Sequence, residues 1–120
     1  MSKPVRFSPS GPHGWMQVED SPLKTAELID GNPKGLDHVY HQRAGSGLIA
    51  GIWRSSPYTE FYDDYPVDEF MYVVDGSVTL EGETFSETFR KGDAFLLPKG
   101  FKGRWKQEEP MVKYYVVVTT

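Results

Sequence analysis

One carboxylate stands where the sequence otherwise predicts an apolar β-strand. Glu69 precedes the run Phe70–Val74, whose aromatic and β-branched residues favour a strand. An ionised carboxylate inside an apolar interior destabilises a fold by several kcal/mol unless it is paired or neutralised. Glu69 is therefore our best candidate for chemistry, as a general base, as a metal ligand, or as one half of a buried ion pair.

A partner for Glu69 is expected among a few polar groups. Lys113 is our first choice, because it opens the last predicted strand in the sequence Lys-Tyr-Tyr. Arg104, the Tyr65 hydroxyl, a water molecule or a ligand are the alternatives. If such a pair is open to solvent, it could bind the polar head of a ligand, whereas a sealed pair would only support the fold.

Other reactive groups are scarce. The chain has no cysteine and therefore no thiolate zinc site and no cysteine nucleophile. The closely spaced histidines, His38 and His41, would point to opposite faces of a strand, so we expect two partly exposed residues rather than a pair of ligands. No Gly-x-Ser-x-Gly motif marks a catalytic serine.

Short strands separated by turns are predicted after Gly47. Asp75-Gly76 between two strand-like runs predicts a tight turn, so that Phe70–Glu81 would form one hairpin. A spacing of roughly 8–12 residues, with Gly or Pro between strands, predicts an all-β sandwich or barrel. The other expected strands are Leu48–Trp53, Glu60–Tyr62, Thr84–Phe89, Ala94–Leu97, Phe101–Lys106 and Met111–Thr119.

The first 47 residues have a different character. They are rich in Pro and Gly turns, and we expect an N-terminal arm that packs on the barrel or on a partner, with residues 48–120 as the barrel. Within the arm, residues 20–30 form either a short helix with Pro22 at its first position or an extended segment. Such an arm is suited to covering the edge of a sheet.

Composition excludes several classes of function. A chain of 120 residues with 38% hydrophobic content is long enough for one core. The net charge of −4 argues against a nucleic-acid partner, which would require a basic surface. No apolar run approaches the roughly 20 residues that cross a bilayer, and no signal core follows the N-terminus, so we expect a cytoplasmic protein without a membrane partner.

Two spaced motifs resemble those of the cupin superfamily. Glu69 followed by Gly76 is similar to the end of the first cupin motif, and Gly92 followed by Pro98-Lys99-Gly100 is similar to the second. The tail around Trp105 and Lys113-Tyr114-Tyr115 resembles small single-domain cupins of the ureidoglycine aminohydrolase type, the Cupin_3 or DUF861-like branch. The resemblance implies an all-β, RmlC-like jelly-roll barrel, or double-stranded β-helix, and a homodimer.

The same resemblance implies where a metal would be held, by the Glu and by histidines around it. Those histidine positions fall on Asp63, Tyr65 and Gly103, and a frequent Asn position falls on Gln107, so only Glu69 matches. We therefore predict no metal and no cofactor. A divalent metal held by Glu69 and Asp63 is the alternative.

Inward-facing residues complete the predicted site. Strand alternation places Glu69, Met71 and Val73 on one face, which the resemblance makes the inner one, and it does the same for Trp105 and Gln107. Aromatic walls with a few polar groups are typical of a small-molecule pocket, although the same rings could be core. The predicted ligand-binding residues are Trp53, Tyr62, Asp63, Tyr65, Glu69, Met71, Phe101, Trp105, Gln107 and Lys113.

Three functions are compatible with these residues. The first is a barrel that binds a small polar metabolite without a full metal site. The second is an enzyme similar to ureidoglycine aminohydrolase, acting on a small nitrogenous or carboxylated metabolite. The third is a non-catalytic partner protein whose barrel is solid. We favour the first, because the sequence keeps the carboxylate and the aromatic lining but not the histidines.

Overall fold

The structure is a computed structural model, and it describes residues 2–12, 26–43 and 45–119. Within these ranges the chain forms ten β-strands and no helix. In chain order the strands are β1 Ala26–Gly31, β2 Gly35–Arg43, β3 Leu48–Ser55, β4 Tyr58–Tyr62, β5 Asp68–Asp75, β6 Ser77–Glu81, β7 Ser86–Arg90, β8 Ala94–Leu97, β9 Gly103–Gln107 and β10 Met111–Val118.

The strands form two five-stranded antiparallel sheets. The first sheet has the order β1-β4-β9-β6-β7, and the second has the order β2-β3-β10-β5-β8. Consecutive strands alternate between the sheets along much of the chain, as in a jelly roll. The all-β jelly-roll barrel predicted from the sequence is confirmed.

A period of two residues along β5 shows which face of the second sheet is internal. Glu69, Met71 and Val73 are buried, whereas Phe70 and Tyr72 between them are exposed. The predicted orientation of β5 is therefore confirmed. The buried apolar side chains from both sheets form one core: Tyr62, Tyr65, Met71, Val73, Val78, Leu80, Leu97, Trp105 and Met111.

The predicted hairpin over Phe70–Glu81 is wrong. β5 pairs with β10 and β8 in the second sheet, whereas β6 pairs with β7 and β9 in the first. The Asp75-Gly76 turn therefore carries the chain from one sheet to the other. The turn residues fix a local reversal of the chain, but pairing depends on distant strands that cover each face of the core.

Gly76 is required at this crossing for two reasons. Its φ of +79° is unfavourable for other residues, and a Cβ there would contact the Pro110 carbonyl and come within 3.0 Å of the Met111 Cα. Gly92 has a similar φ of +93° but nothing within 4 Å of its Cβ position. Substitutions at these two glycines can therefore distinguish the cost of an unfavourable φ from the cost of a steric clash.

We expect Gly76→Ala to lower the free energy of unfolding by about 2–4 kcal/mol, since it adds a steric clash to the unfavourable φ. The matched variant Gly92→Ala should lower the free energy of unfolding by only about 1 kcal/mol, because the unfavourable φ is the only cost there and no steric clash is added. Urea unfolding followed by tryptophan fluorescence measures both. Equal losses would show that the contact with Pro110 has no effect.

The N-terminal segment supplies an edge strand to each sheet. β1 pairs with β4 at one edge of the first sheet, and β2 pairs with β3 at one edge of the second. Of the stretch 20–30, residues 26–30 are strand, so the helix is wrong there and the extended alternative holds. Residues 20–25 lie outside the described residues.

The beginning of the chain packs on the outer face of the second sheet. The Phe7 ring lies 4.7 Å from the Tyr40 ring and 5.3 Å from the Tyr114 ring. In the three described ranges, no helix has the length and apolar character needed to cross a membrane.

Candidate functional site

Four neighbouring strands of the second sheet position the polar groups inside the barrel. Across β2, β3 and β10, the residues Asp37, Trp53 and Lys113 are directly paired, so their side chains share the inner face. Glu69 reaches the same face from β5, which is the other neighbour of β10. Residues distant in sequence are thus brought together by strand register.

Glu69 and Lys113 form a buried ion pair. The Lys113 Nζ donates to the Glu69 Oε2 at 2.7 Å, and each side chain is only 9% exposed. The Tyr65 hydroxyl donates to the other carboxylate oxygen, Oε1, at 2.7 Å. Lys113, the first choice from the sequence, and Tyr65 therefore contact Glu69, whereas Arg104, another of the named partners, is exposed on β9. The carboxylate is satisfied on both oxygens, as a buried charge requires.

Tyr65 is fixed as a hydrogen-bond donor. Burial, together with the negative charge of Glu69, raises the pKa of the Tyr65 hydroxyl well above its ordinary value near 10. Ionisation would place two negative oxygens side by side in a poorly solvated interior. The phenol consequently stays protonated and holds Glu69 in one orientation.

The Lys113 ammonium has a further set of contacts. It lies 3.4 Å from the Met71 sulfur, 4.7 Å from the centre of the Trp53 ring and 4.8 Å from the centre of the Trp105 ring. A cation over an aromatic face is stabilised by the electron-rich π-system. These contacts and Glu69 together hold one positive charge on the inner face of the second sheet.

A cavity of about 370 Å³ reaches this ion pair. Its lining combines aromatic rings, aliphatic side chains and charged groups, which is the usual composition of a site for a small molecule. The lining residues are Asp37, Val39, Ile49, Trp53, Tyr58, Glu60, Tyr62, Tyr65, Val67, Glu69, Lys113, Tyr115 and Val117.

A second polar pair in the cavity was missed from the sequence. The Tyr115 hydroxyl donates to the Asp37 Oδ1 at 2.6 Å. Burial raises the pKa of Asp37 and also that of Tyr115, although the hydrogen bond and the Lys113 charge oppose the shift for Asp37. No local pattern marked this pair; the structure shows that Gly51 leaves room for it, because a Cβ there would meet the His38 carbonyl and lie 2.7 Å from the Tyr115 hydroxyl.

The predicted residues divide into three groups. Five of them line the cavity: Trp53, Tyr62, Tyr65, Glu69 and Lys113. Met71 and Trp105 lie behind these in the core, where both contact the Lys113 ammonium. Phe101, Gln107 and Asp63 are not among the lining residues.

Each residue of the last group has a different role. Gln107 donates from Nε2 to the carbonyls of Ser55, Ser56 and Glu109, and its Oε1 accepts from Trp105, so it connects loops to the core. Phe101 packs on Tyr62 behind the cavity wall.

Asp63 lies on the surface with a side chain that is 72% exposed, and its carboxylate is 3.6 Å from the Lys102 ammonium. The structure therefore does not bring Asp63 to Glu69.

The two histidines of β2 also lie away from the cavity. A register shift between Val39 and His41 pairs His38 with Ile52 and His41 with Ala50, two positions apart on β3. Both histidines therefore belong to the outer face of the sheet, and the expected opposite orientation is wrong because a bulge interrupts the alternation. Neither histidine is among the cavity-lining residues.

The residues present do not fit the metal site implied by the resemblance. Both oxygens of Glu69 are engaged by Tyr65 and Lys113, so a protein ammonium already supplies the positive charge. At Gly103 a Cβ would contact the Glu81 carbonyl and the Phe101 ring, so no ligand side chain can stand there on this backbone. Among the described residues, no three His, Asp or Glu side chains are grouped to hold an ion.

Comparison with known proteins identifies the family. The model of the EutQ-like cupin domain matches residues 44–115, which is more than half of the 120-residue chain. The chain belongs to the EutQ-like cupin family. The small cupin of the Cupin_3 and DUF861 branch predicted from the sequence is thereby confirmed. No protein of curated function matches this EutQ-like cupin at a significant level.

Solved structures share its fold at low sequence identity. A DUF861-family protein of unknown function from Pseudomonas syringae pv. tomato DC3000 superimposes with a TM-score of 0.80 and 20% identity, over 93% of this chain and 46% of that one. This EutQ-like cupin therefore spans about half the length of that protein.

Two further structures extend the comparison. The Clostridium difficile EutQ protein superimposes with a TM-score of 0.63 and 17% identity, over 96% of this chain and 81% of that one. The Schizosaccharomyces pombe Cnp3 cupin domain superimposes with a TM-score of 0.60 and 14% identity, over 82% of this chain and 72% of that one. At these identities the likeness concerns the fold alone, since cupin barrels support many unrelated functions.

Proposed function

We propose that this EutQ-like cupin binds a small polar organic molecule inside its barrel, without a metal ion. The observation that carries the proposal is the cavity of about 370 Å³, which reaches the Glu69–Lys113 pair. A pair that served only as scaffolding would be expected in a filled interior. Here the carboxylate, the ammonium and the Tyr65 hydroxyl all lie on a wall that a ligand can contact.

The distribution of apolar and charged residues around the cavity also supports binding. Trp53, Tyr58 and Tyr62 provide flat apolar walls, while three of the four charged lining residues, Asp37, Glu69 and Lys113, lie on strands of the second sheet. A ligand with an apolar body and one polar end would match this division. The polar end would exchange hydrogen bonds with Glu69, Tyr65 or Asp37.

The test is a cavity-filling variant that leaves the ion pair intact. Val117 lines the cavity, whereas the preceding residue, Val116, pairs with the outward-facing Phe70. A library of small metabolites is first screened by thermal shift, and the compounds that raise Tm are titrated by calorimetry. Val117→Trp should weaken their binding at least about tenfold, since a bulky side chain occupies the volume that a ligand needs.

Val116→Trp is the matched control, because it adds the same side chain to the opposite face of the same strand. It should leave the affinity within about twofold. A library in which no compound raises Tm would contradict the proposal. So would hits whose affinity is the same in Val117→Trp as in the native chain.

The second candidate is an enzyme similar to ureidoglycine aminohydrolase, acting on a small nitrogenous or carboxylated metabolite. The observation that favours it is that two proton donors, Lys113 and Tyr65, contact one proton acceptor, Glu69, at the edge of a cavity. General acid–base catalysis uses such groups. Each nitrogenous compound that binds is incubated with the protein and assayed for released ammonia. If none of them is turned over, the enzymatic candidate fails and only the binding function remains.

The homodimer expected from the sequence stays a prediction. The outer face of the second sheet exposes Phe70, Tyr72 and Leu96, of which Leu96 is 58% exposed. Sedimentation velocity over a hundredfold range of concentration measures the state directly.

A further inference from the structure

The charges that line the cavity are unequal in number. Two carboxylates of the second sheet, those of Asp37 and Glu69, line the cavity with a single ammonium, that of Lys113. The Lys113 ammonium is engaged by Glu69 at 2.7 Å, so its charge is largely offset there. The Asp37 carboxylate therefore adds a negative charge to a pair that is nearly neutral, and this excess favours a positively charged ligand.

Asp37 is the acid group best placed to meet such a ligand. It receives a hydrogen bond at 2.6 Å from Tyr115, a neutral donor that leaves the carboxylate charge in place. Loss of solvent raises the pKa of Asp37, although the hydrogen bond from Tyr115 and the Lys113 charge oppose part of the rise. A cation beside Asp37 would offset this loss of solvation, whereas an anion would add repulsion to it.

The aromatic walls favour the same class of ligand. Five aromatic side chains line the cavity: Trp53, Tyr58, Tyr62, Tyr65 and Tyr115. The protein already places one cation over aromatic faces here, since Lys113 lies 4.7 Å from the Trp53 ring centre. Ammonium groups bind between aromatic faces because each ring presents a negative surface.

We propose that the cavity selects small organic cations, primary or quaternary ammonium compounds, whose charged group lies between the Asp37 carboxylate and the aromatic walls. This inference rests on the proposed function and names the class of ligand for the same cavity. Glu69 and Lys113 then form one wall of the site, and the Asp37 carboxylate provides the charge that distinguishes cations from neutral and negatively charged ligands.

The experiment uses four probes of nearly the same shape. Choline and 3,3-dimethylbutylammonium carry a positive charge, 3,3-dimethylbutan-1-ol is neutral, and 3,3-dimethylbutanoate is negative. Calorimetric titration of the full chain should give at least one cation an affinity about tenfold or more above that of the neutral alcohol, with the carboxylate weakest, because a cation gains about 1–2 kcal/mol in such surroundings.

Asp37→Asn tests the residue that we assign to discrimination. The amide keeps the shape and can still accept from Tyr115, so the fold should remain intact while the preference for cations falls to about threefold or less. Asp63→Asn is the matched control, because Asp63 is a carboxylate on the surface. It should leave the preference unchanged.

The outcomes separate the two proposals. Binding of the neutral or the negative probe as tightly as the cations, abolished by Val117→Trp, would overturn the cation inference and leave the proposed function standing. A cation preference that survives Asp37→Asn would overturn the role of Asp37. If none of the four probes binds, the cation inference fails, and the metabolite library alone then decides whether the proposed function fails as well.

Discussion

Replacing Glu69 with alanine is expected to lower the free energy of unfolding by about 3–5 kcal/mol. The variant leaves the Lys113 ammonium in a site that is 9% exposed, without its carboxylate partner at 2.7 Å. The Tyr65 hydroxyl loses its acceptor at the same time. Urea unfolding, monitored by circular dichroism, measures the change through the midpoint of the transition.

Two controls distinguish loss of the pair from loss of packing. The double variant Glu69→Leu with Lys113→Met removes both charges and keeps the volume, so it should recover most of the stability lost in Glu69→Ala. Lys102→Met breaks the surface contact between Lys102, whose side chain is 61% exposed, and Asp63, whose side chain is 72% exposed. It should change the free energy of unfolding by less than about 1 kcal/mol. A double variant as unstable as the single one would show that packing, not charge, dominates.

Raising the pH above 10 is expected to unfold the protein steeply. Burial raises the pKa of Tyr62, Tyr65 and Tyr115 well above 10 in the folded state, whereas all three ionise near 10 in the unfolded chain. The folded state therefore binds more protons in this window, and stability falls as pH rises. Three such hydroxyls give a loss of about 4 kcal/mol per pH unit above 10.

The phenylalanine variants test this assignment. Tyr65→Phe removes one ionisable group, so the slope of unfolding free energy against pH should become shallower by about 1.4 kcal/mol per unit. The slope is compared rather than the absolute stability, because Tyr65→Phe also removes the hydrogen bond to Glu69. Urea titrations between pH 9 and 11.5 give both values, and the idea fails if the native chain shows no loss of stability over that range.

Residues with a strong local pattern were predictable from the sequence. The alternation along β5 placed Glu69, Met71 and Val73 on one face, which the resemblance made the inner one, and β8 has the predicted bounds Ala94–Leu97. In these segments a period of two and flanking turn residues agree with the tertiary environment. Lys113 could be chosen as a partner because a buried carboxylate demands one.

What could not be predicted depends on contacts between distant segments. The Asp75-Gly76 turn has the local chemistry of a hairpin, but the strands on either side pair in different sheets. β1 and β2 have weak apolar patterns, because edge strands are half exposed and are stabilised by the neighbour on one side. Asp37 gave no signal of its own, since only the register of β2 against β3 brings it to Tyr115.

The placement of β1 and β2 determines what the smallest independent unit of this protein can be. The family match begins at residue 44, but both strands lie before it, each at the border of a different sheet. A fragment that started at residue 44 would leave β3 and β4 without a hydrogen-bonded neighbour on one side. Unpaired strand edges of this kind can pair with other chains and lead to aggregation. Such a shortened chain would also lack Asp37, so aggregation and loss of ligand discrimination would arise from the same deletion.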